Sequence, residues 1–478
     1  MNLYSRLAEA AETSPDRTAV ETAQRRLTYA DVDLTARRIA AALRARGVGA
    51  GDLVGLHLHD TPEHVAALFA LMRVGAVVLP FDWRATQAEF DRLAGQFPPK
   101  AIVTDDAPMT GREAITVDMD QALRSPPDTA TPAALENAPM GYGLTSGTTG
   151  APKAFVVTHE QLRARCAIRA GAGVFDKSDR YLSTLPLAYT AGREHAICAL
   201  LQGATLAMMP SLFSPRELVD FVNGRGITAV SLSPNVSRAL IAAARNGPML
   251  MPGLRTLVST TGKLQPEDRA AILESVAPRL VDYYGSTGTG PIAAITRPAD
   301  GTDGTAAGRP MPGVTVEVAG DDGMRLPDGE IGRIRVRGDN VSTLSVGAAM
   351  TGDEAFRDGW YYPGDLGSFA PDGVLHLHGR TTELIKRGGL SVHAQEVEQA
   401  LRRHECVADA AVAGVASDLL GEEVIAYVVA ACPVDEKALI RHCRRELVSY
   451  KVPARIVFLA ELPRNATGKV VKRLLPPG

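Results

Sequence analysis

Between Leu144 and Lys153 the chain reads Leu-Thr-Ser-Gly-Thr-Thr-Gly-Ala-Pro-Lys, which gathers four hydroxyls, two glycines and a lysine within ten residues. Gly147 and Gly150 let backbone N–H groups turn toward an anion without side-chain clash. The hydroxyls of Thr145, Ser146, Thr148 and Thr149 add donors, and Lys153 adds a positive charge. The set suits a polyphosphate. It is not a Walker loop, which needs Gly-Lys-Ser/Thr, because Pro152 precedes the lysine. A flexible surface loop is the plain alternative, and such loops seldom concentrate this many donors. Elsewhere, single residues carry less weight. Asp365 in Pro-Gly-Asp reads alone as a turn aspartate, and Lys469 alone as a solvated charge. His376 and His378 alternate along a strand-like run with no third ligand beside them, so they read as structural, and His159 reads as a helix-start residue.

It is the order of the segments that gives them meaning. Leu144 to Lys153 resembles the phosphate loop of the acyl-adenylate-forming superfamily of acyl-CoA synthetases, nonribosomal-peptide adenylation domains and luciferases. Tyr283-Tyr284-Gly285-Ser286-Thr287 resembles that family's adenine and α-phosphate segment, and Trp360 to Gly367 its ribose-binding segment around Asp365. Gly379-Arg380 to Glu398 resembles its hinge and thiol-channel loop, with Lys386, Gly388 and Gly389 in the channel. Leu462 to Lys469 resembles its catalytic-lysine loop. The resemblance is closest to acyl-CoA ligases. It implies two steps: a carboxylate attacks the α-phosphate of ATP to give an acyl-adenylate, and the thiol of CoA then displaces AMP. Lys469 and Thr287 would be catalytic, while Tyr284, Asp365 and Arg380 would hold adenine, ribose and phosphate. Gly262 would touch nucleotide and acyl group, and Tyr189, Gly192 and Ser233 would line the acyl pocket. The resemblance further divides the chain into residues 1–379 for nucleotide and acyl binding, a hinge at 380–383 centred on Thr382, and a mobile domain at 384–478.

Three departures qualify this. Gly288 stands where the family usually has a magnesium-binding glutamate, and no acidic residue follows until Asp300. The expectation is an impaired adenylation step, no protein metal site, and magnesium arriving only with ATP. Tyr189 stands where many relatives have histidine or aspartate, and Thr382 replaces the usual hinge aspartate or lysine. The partners expected are a carboxylic acid or its acyl-adenylate, and CoA. A freestanding adenylation enzyme loading a carrier protein is the alternative, and a degenerate nucleotide-binding member is a third. The lack of an aspartate from Leu185 to Gly192 weighs against amino acids, since nothing there would pair an ammonium group.

The elements that must position these residues alternate helix and strand. Thr28 with Asp31 caps a helix that stops at Gly47, and Leu53 to Leu58 suits a strand. Thr61-Pro62-Glu63 opens a helix to Gly75, and Ala76 to Pro80 is a buried strand. Thr158 with Gln161 and Ser214 with Glu217 repeat the capping-box spacing, with strand-like runs at Thr228 to Leu232 and Leu254 to Ser259. The reading is α/β: a large N-terminal domain of helix-covered, mostly parallel sheets plus a β-rich subdomain from about Pro310, and a small α+β C-terminal domain. Arg297 to Gly308 is the most linker-like stretch.

At 478 residues the chain exceeds what one core supports, so at least two domains are expected. A formal net charge of -3 offers no basic excess for nucleic acid. No stretch has the roughly 18 uninterrupted apolar residues of a membrane span, and Arg6, Glu9, Glu12 and Asp16 interrupt any signal-peptide core. The five cysteines are odd in number and widely spaced, which argues against disulfides or zinc and for a cytoplasmic location.

Overall fold

The computed structural model describes residues 2–106, 114–133, 137–145, 153–244, 247–347, 355–417, 419–464 and 470–476. Local signals act where expected. Thr28 accepts from the Asp31 amide and Asp31 from the Thr28 amide, starting the helix Tyr29–Ala45. Thr61 caps Pro62–Val74, which ends on Gly75 at φ 84°. Capping boxes likewise open His159–Gly171 and Pro215–Gly224.

These helices cover two sheets. In one, Thr18–Glu21, Thr205–Met208, Arg180–Ser183, Ala229–Leu232, Thr256–Ser259 and Leu280–Ser286 lie side by side in parallel. That sheet continues antiparallel through Gly290–Ile295 and Ala306–Pro310 into the β-rich region, where Leu375–Arg380, Asp365–Phe369 and Gly332–Arg337 pair. In the other, Val77–Phe81, Leu53–His57, Ala101–Thr104 and Ile115–Asp118 are parallel, and Pro139–Thr145 pairs antiparallel with Lys153–Thr158. The third sheet lies wholly after residue 383: Leu390–His393, Leu384–Arg387, Gly421–Ala430 and Val407–Ser417 are antiparallel neighbours, with Arg455–Phe458 alongside. Helices Ala394–Arg402 and Glu436–Glu446 pack with it around Val397, Leu401, Leu439 and Val412.

Two expectations need correction. Residues Arg297 to Gly308 are not a linker: they hold the short helix Pro298–Gly301 and the start of strand Ala306–Pro310, because buried Asp300 binds both Arg297 and Arg309. The cysteines are not all unpaired. Cys166 bonds Cys198 and Cys406 bonds Cys432, with Cα separations of 5.0 and 4.8 Å, and Cys443 is free and buried. Helix packing and a strand hairpin bring together residues 32 and 26 apart, which sequence spacing does not reveal. The argument from unpaired cysteines to a reducing compartment falls with them. Among the described residues no helix is long and apolar enough to cross a membrane. His376 is bonded to Thr305 and His378 to Ser368, at 2.7 and 2.9 Å.

Candidate active site

The phosphate-loop segment closes a hairpin. Thr145 and Lys153 are cross-strand partners at its two ends; Ser146, Gly147, Thr148 and Thr149 lie outside the described residues. Gly143, two residues before the loop, lies against Thr287 and Thr190: a Cβ on it would meet the Thr287 methyl at 2.5 Å and the Thr190 hydroxyl at 3.2 Å. Glycine here lets strand Pro139–Thr145 touch the end of strand Leu280–Ser286 and the start of helix Thr190–Leu201. Thr145, Thr287 and that helix N-terminus therefore share one edge, outside the carboxyl ends of parallel strands, where ligands bind in open α/β sheets.

Along Leu280–Ser286 successive side chains face opposite ways. Tyr284 donates its hydroxyl to Asp365 Oδ2 at 2.5 Å, and the Arg380 Nε lies 3.3 Å from Asp365 Oδ1. Asp365 and Arg380 are antiparallel partners, so the strand register sets this pair. Burial and the adjacent carboxylate push the Tyr284 phenol well above its ordinary value. Tyr283 faces the opposite side, where its hydroxyl contacts fully buried His195, whose other ring nitrogen lies 3.0 Å from Ser231 Oγ. Its side chain thus belongs to the interior, away from Asp365. Gly285 packs on the Gly290 carbonyl, and Ser286 bonds Thr289 at 3.0 Å.

The residues assigned to the acyl pocket fall in two places. Ser233 precedes helix Pro234–Ala243, and Gly262 abuts Pro234, with a Cβ there meeting the ring at 3.1 Å. Next to it Thr261 holds φ 71°, a strained value for a β-branched residue. Tyr189 donates to Asp82 at 3.2 Å, and Asp82 is also paired with Arg84; burial and then Asp82 push the Tyr189 phenol up to about 12. Gly192 faces the carbonyls of Pro186 and Leu185, 2.3 and 2.5 Å from where a Cβ would sit, so its smallness lets the helix pack on that loop.

Lys386, Gly388 and Gly389 sit on the exposed hairpin Leu384–Arg387 to Leu390–His393, with φ 58° and 82° at the glycines. Thr382 is exposed in the short helix Thr381–Glu383. Lys469 lies outside the described residues, but Arg464 and Val470, at either end of its loop, form a β-bridge. Lys472 is paired with Glu383 and Glu398, at 2.9 and 2.8 Å, which ties this tail to the segment around Thr382.

Residues that single-sequence reading missed crowd position 288. A Cβ there would lie 2.9 Å from the Tyr361 phenol carbon and oxygen and 3.1 Å from a Phe155 ring carbon. The two rings meet edge-to-face with centroids 5.7 Å apart. A side chain at 288 would have to displace the outer end of the Tyr361 ring, and glycine itself supplies no carboxylate, so the residues present do not fit a magnesium held from position 288. Behind the same turn, Arg165 donates to the Gly288 carbonyl at 2.9 Å and forms a buried ion pair with Glu194. The only sequence signal of this was Arg193-Glu194-His195 in an otherwise apolar helical run.

The description "AMP-binding enzyme" belongs to a family model matching residues 7–343, and "AMP-binding enzyme C-terminal domain" to a second matching 396–469. The indoleacetate–CoA ligase of Aromatoleum aromaticum is 31% identical over 504 residues, covering 99% of this chain and 97% of that protein. The feruloyl-CoA synthase of an Amycolatopsis species is 31% identical over 476 residues, covering 97% and 96%. ATP-bound MatB from Rhodopseudomonas palustris superposes with a TM-score of 0.91 at 26% identity, over 99% of this chain and 97% of that one. The o-succinylbenzoate CoA synthetase of Bacillus subtilis, in complex with its acyl-adenylate, gives 0.88 at 25%, over 99% and 98%.

Proposed function

The chain belongs to the AMP-binding enzyme family, and from that premise we propose that it is an acid–thiol ligase joining a carboxylic acid to CoA through an acyl-adenylate. The observation that carries this is the grouping of Tyr284, Asp365 and Arg380 on the strand edge shared by Thr287 and the hairpin of the phosphate loop. Asp365 can accept both ribose hydroxyls, and the Tyr284 ring offers a face to adenine. Thr287 donates to an α-phosphate oxygen, and Arg380 and Lys153 neutralise phosphate charge.

In the first step a carboxylate oxygen attacks the α-phosphorus and pyrophosphate leaves. Both reactants are anionic, so Lys469 between them lowers the barrier by offsetting their repulsion. In the second step the thiol sulfur attacks the acyl carbon and AMP leaves. We assign residues 384–478 as a unit turning about Thr382, which alternately delivers Lys469 and the Lys386, Gly388 and Gly389 hairpin. Ser233 and Gly262, with Tyr189 and Gly192, border the acyl site; apart from Tyr189, whose hydroxyl is held by Asp82, they are small and uncharged, which favours a bulky uncharged acid. Because Gly288 supplies no carboxylate, adenylation is the weaker half-reaction, and acyl-AMP formed elsewhere is a competent substrate.

Separate assays of the half-reactions test this. Lys469→Ala should slow pyrophosphate release from ATP and acid by orders of magnitude and leave thioester formation from supplied acyl-AMP much less changed. Equal loss of both would remove Lys469 from its role. Mass analysis after incubation with CoA or with a carrier protein separates the two acceptors.

A further inference from the structure

Four charged side chains lie sealed behind the phosphate side of the site. Arg165, Arg169, Arg193 and Glu194 are each no more than 3% exposed. Glu194 is paired with Arg165 and, at 2.8 Å, with Arg169. Arg193 has no carboxylate partner among the described residues and donates instead to the carbonyls of Leu187, Ala188 and Tyr142. Three guanidiniums against one carboxylate leave two positive charges in the interior. Burial lowers Arg193 only to about 10, so it stays cationic at neutral pH, and burial keeps neighbouring His195 neutral.

Stability does not explain this group. Buried ion pairs lose so much hydration that apolar residues of the same volume usually serve a fold as well or better. Its position does suggest a use. Arg193 bonds the carbonyl of Tyr142, whose neighbour Gly143 abuts Thr287; Arg165 bonds the carbonyl of Gly288, the residue after Thr287. The Arg165 and Arg193 guanidiniums thus stand one backbone layer behind the residues assigned to the nucleotide phosphates, at a turn whose residue 288 carries no carboxylate.

We propose that Arg165, Arg169 and Arg193 form a fixed cationic backing, incompletely neutralised by Glu194, that favours anions at this site in proportion to their charge. The proposal rests on the nucleotide-binding reading above. These are positioning residues acting through the field, not groups that touch the ligand. A fixed charge at about 10 Å, acting on a ligand in a site open to water where the effective dielectric approaches about 80, changes affinity by roughly twofold per unit of ligand charge, which compounds to about tenfold for ATP and about threefold for AMP. A sealed charge is screened by salt far less than an exposed one.

Binding of ATP, AMP and adenosine to the full chain, measured by calorimetry without divalent metal, tests it. Arg169 touches neither Tyr142 nor Gly288; its partners are Glu194, Cys198 and the inward-facing Tyr283, so its removal leaves the backbone bonds of the turn in place, and the Arg169→Lys variant separates charge from the loss of these contacts. Arg169→Met should weaken ATP about tenfold and AMP about threefold, leaving adenosine within about twofold. Arg169→Lys should restore the ATP-to-AMP ratio, and Glu194→Gln should raise it. Equal losses for all three ligands mean a packing role and overturn the proposal. Should the charge-altering variants fail to fold, the unmodified protein decides: its ATP-to-AMP ratio persists at 0.5 M salt if sealed charge sets it, and its collapse toward unity overturns the idea. If the unmodified protein binds neither nucleotide, the function reading itself falls, and this one with it.

Discussion

Two arginine–carboxylate groupings flank the segment Tyr283 to Gly288, and they differ chiefly in their access to water. Around Asp365, the Arg380 side chain is 46% exposed. Around Glu194, the Arg165 and Arg169 side chains are 0% and 2% exposed. The first can exchange partners: Asp365 is itself buried, but half-exposed Arg380 and the Tyr284 hydroxyl occupy oxygens that ribose hydroxyls can take over, one hydrogen bond replacing another. The second cannot exchange at all. Its bonds reach Asn340, Ser342, Gly288 and Tyr142 and freeze the backbone around the turn. One group is built to be displaced and the other to hold still, though their chemical components are nearly the same.

The sharpest break of this comparison is to cut each group once. Arg165→Met should lower unfolding free energy by about 3–5 kcal/mol, since it leaves Glu194 short of a partner in a dry interior. Asp365→Ala should lower stability by about 1–3 kcal/mol, since it strips the Tyr284 hydroxyl of its acceptor, yet weaken AMP binding about ten- to a hundredfold, each charge-assisted hydrogen bond being worth about 1.5–3 kcal/mol. Urea melts and nucleotide titrations on both variants check the contrast. Comparable stability losses would mean that exposure does not separate the two groups.

This contrast also marks what the sequence could reveal. Asp365 was legible because it lies in an ordered set of segments, and elements of the fold follow from caps, glycines and apolar spacing, as with the helix Pro62–Val74, capped by Thr61 and ended on Gly75 as expected. The buried group was not legible. Arg165 and Glu194 are 29 residues apart and meet only after two helices pack, and charged residues in a helix ordinarily imply solvent. Tyr283 and Tyr284 read alike in sequence, yet strand alternation sends one to His195 and the other to Asp365. Gly288 read as a missing carboxylate, but its filling by Tyr361 and Phe155 is a fact of space. The disulfides were missed for the same reason as the arginines.

A smaller effect probes the turn between the groups. A carboxylate restored at 288 meets the Tyr361 ring, so Gly288→Glu alone should cost about 1–3 kcal/mol of stability through overpacking and bring no gain in pyrophosphate release. Gly288→Glu with Tyr361→Ala opens the space and should raise pyrophosphate release about tenfold above the unmodified enzyme, equivalent to about 1.4 kcal/mol. A single variant as stable as the parent would show that Tyr361 yields, and unchanged release in the double variant would show that the carboxylate is not what limits adenylation.

The smallest expected effect concerns protons and asks whether the sealed group is silent to pH. Glu194 loses hydration on burial, which raises its carboxyl, but Arg165 and Arg169 outweigh this and hold it below its ordinary value, so it does not titrate near neutrality. The histidines do respond. Burial lowers His64 and His159 to about 4 and holds His195 well below its ordinary value, so each is neutral in the fold while its unfolded counterpart gains a proton near pH 6.5. The unfolded state therefore binds more protons below that point. Stability is fully present above about pH 6.5 and is lost as pH falls toward the folded values. From pH 7.5 to 6.5 the three together should remove only about 1 kcal/mol. Buried Asp282, raised to about 6 chiefly by burial, works against this slightly: its stabilising contribution is present in acid and fades as pH rises through 6. Glu194→Gln should displace the curve of stability against pH without changing its slope in this interval, whereas His159→Gln should remove at most about a quarter of the slope, because His378 is also lowered to about 4 and His57 and His393 are lowered by burial. A flattened Glu194→Gln curve would place the proton uptake in the arginine group and end the distinction between a fixed group and an exchangeable one.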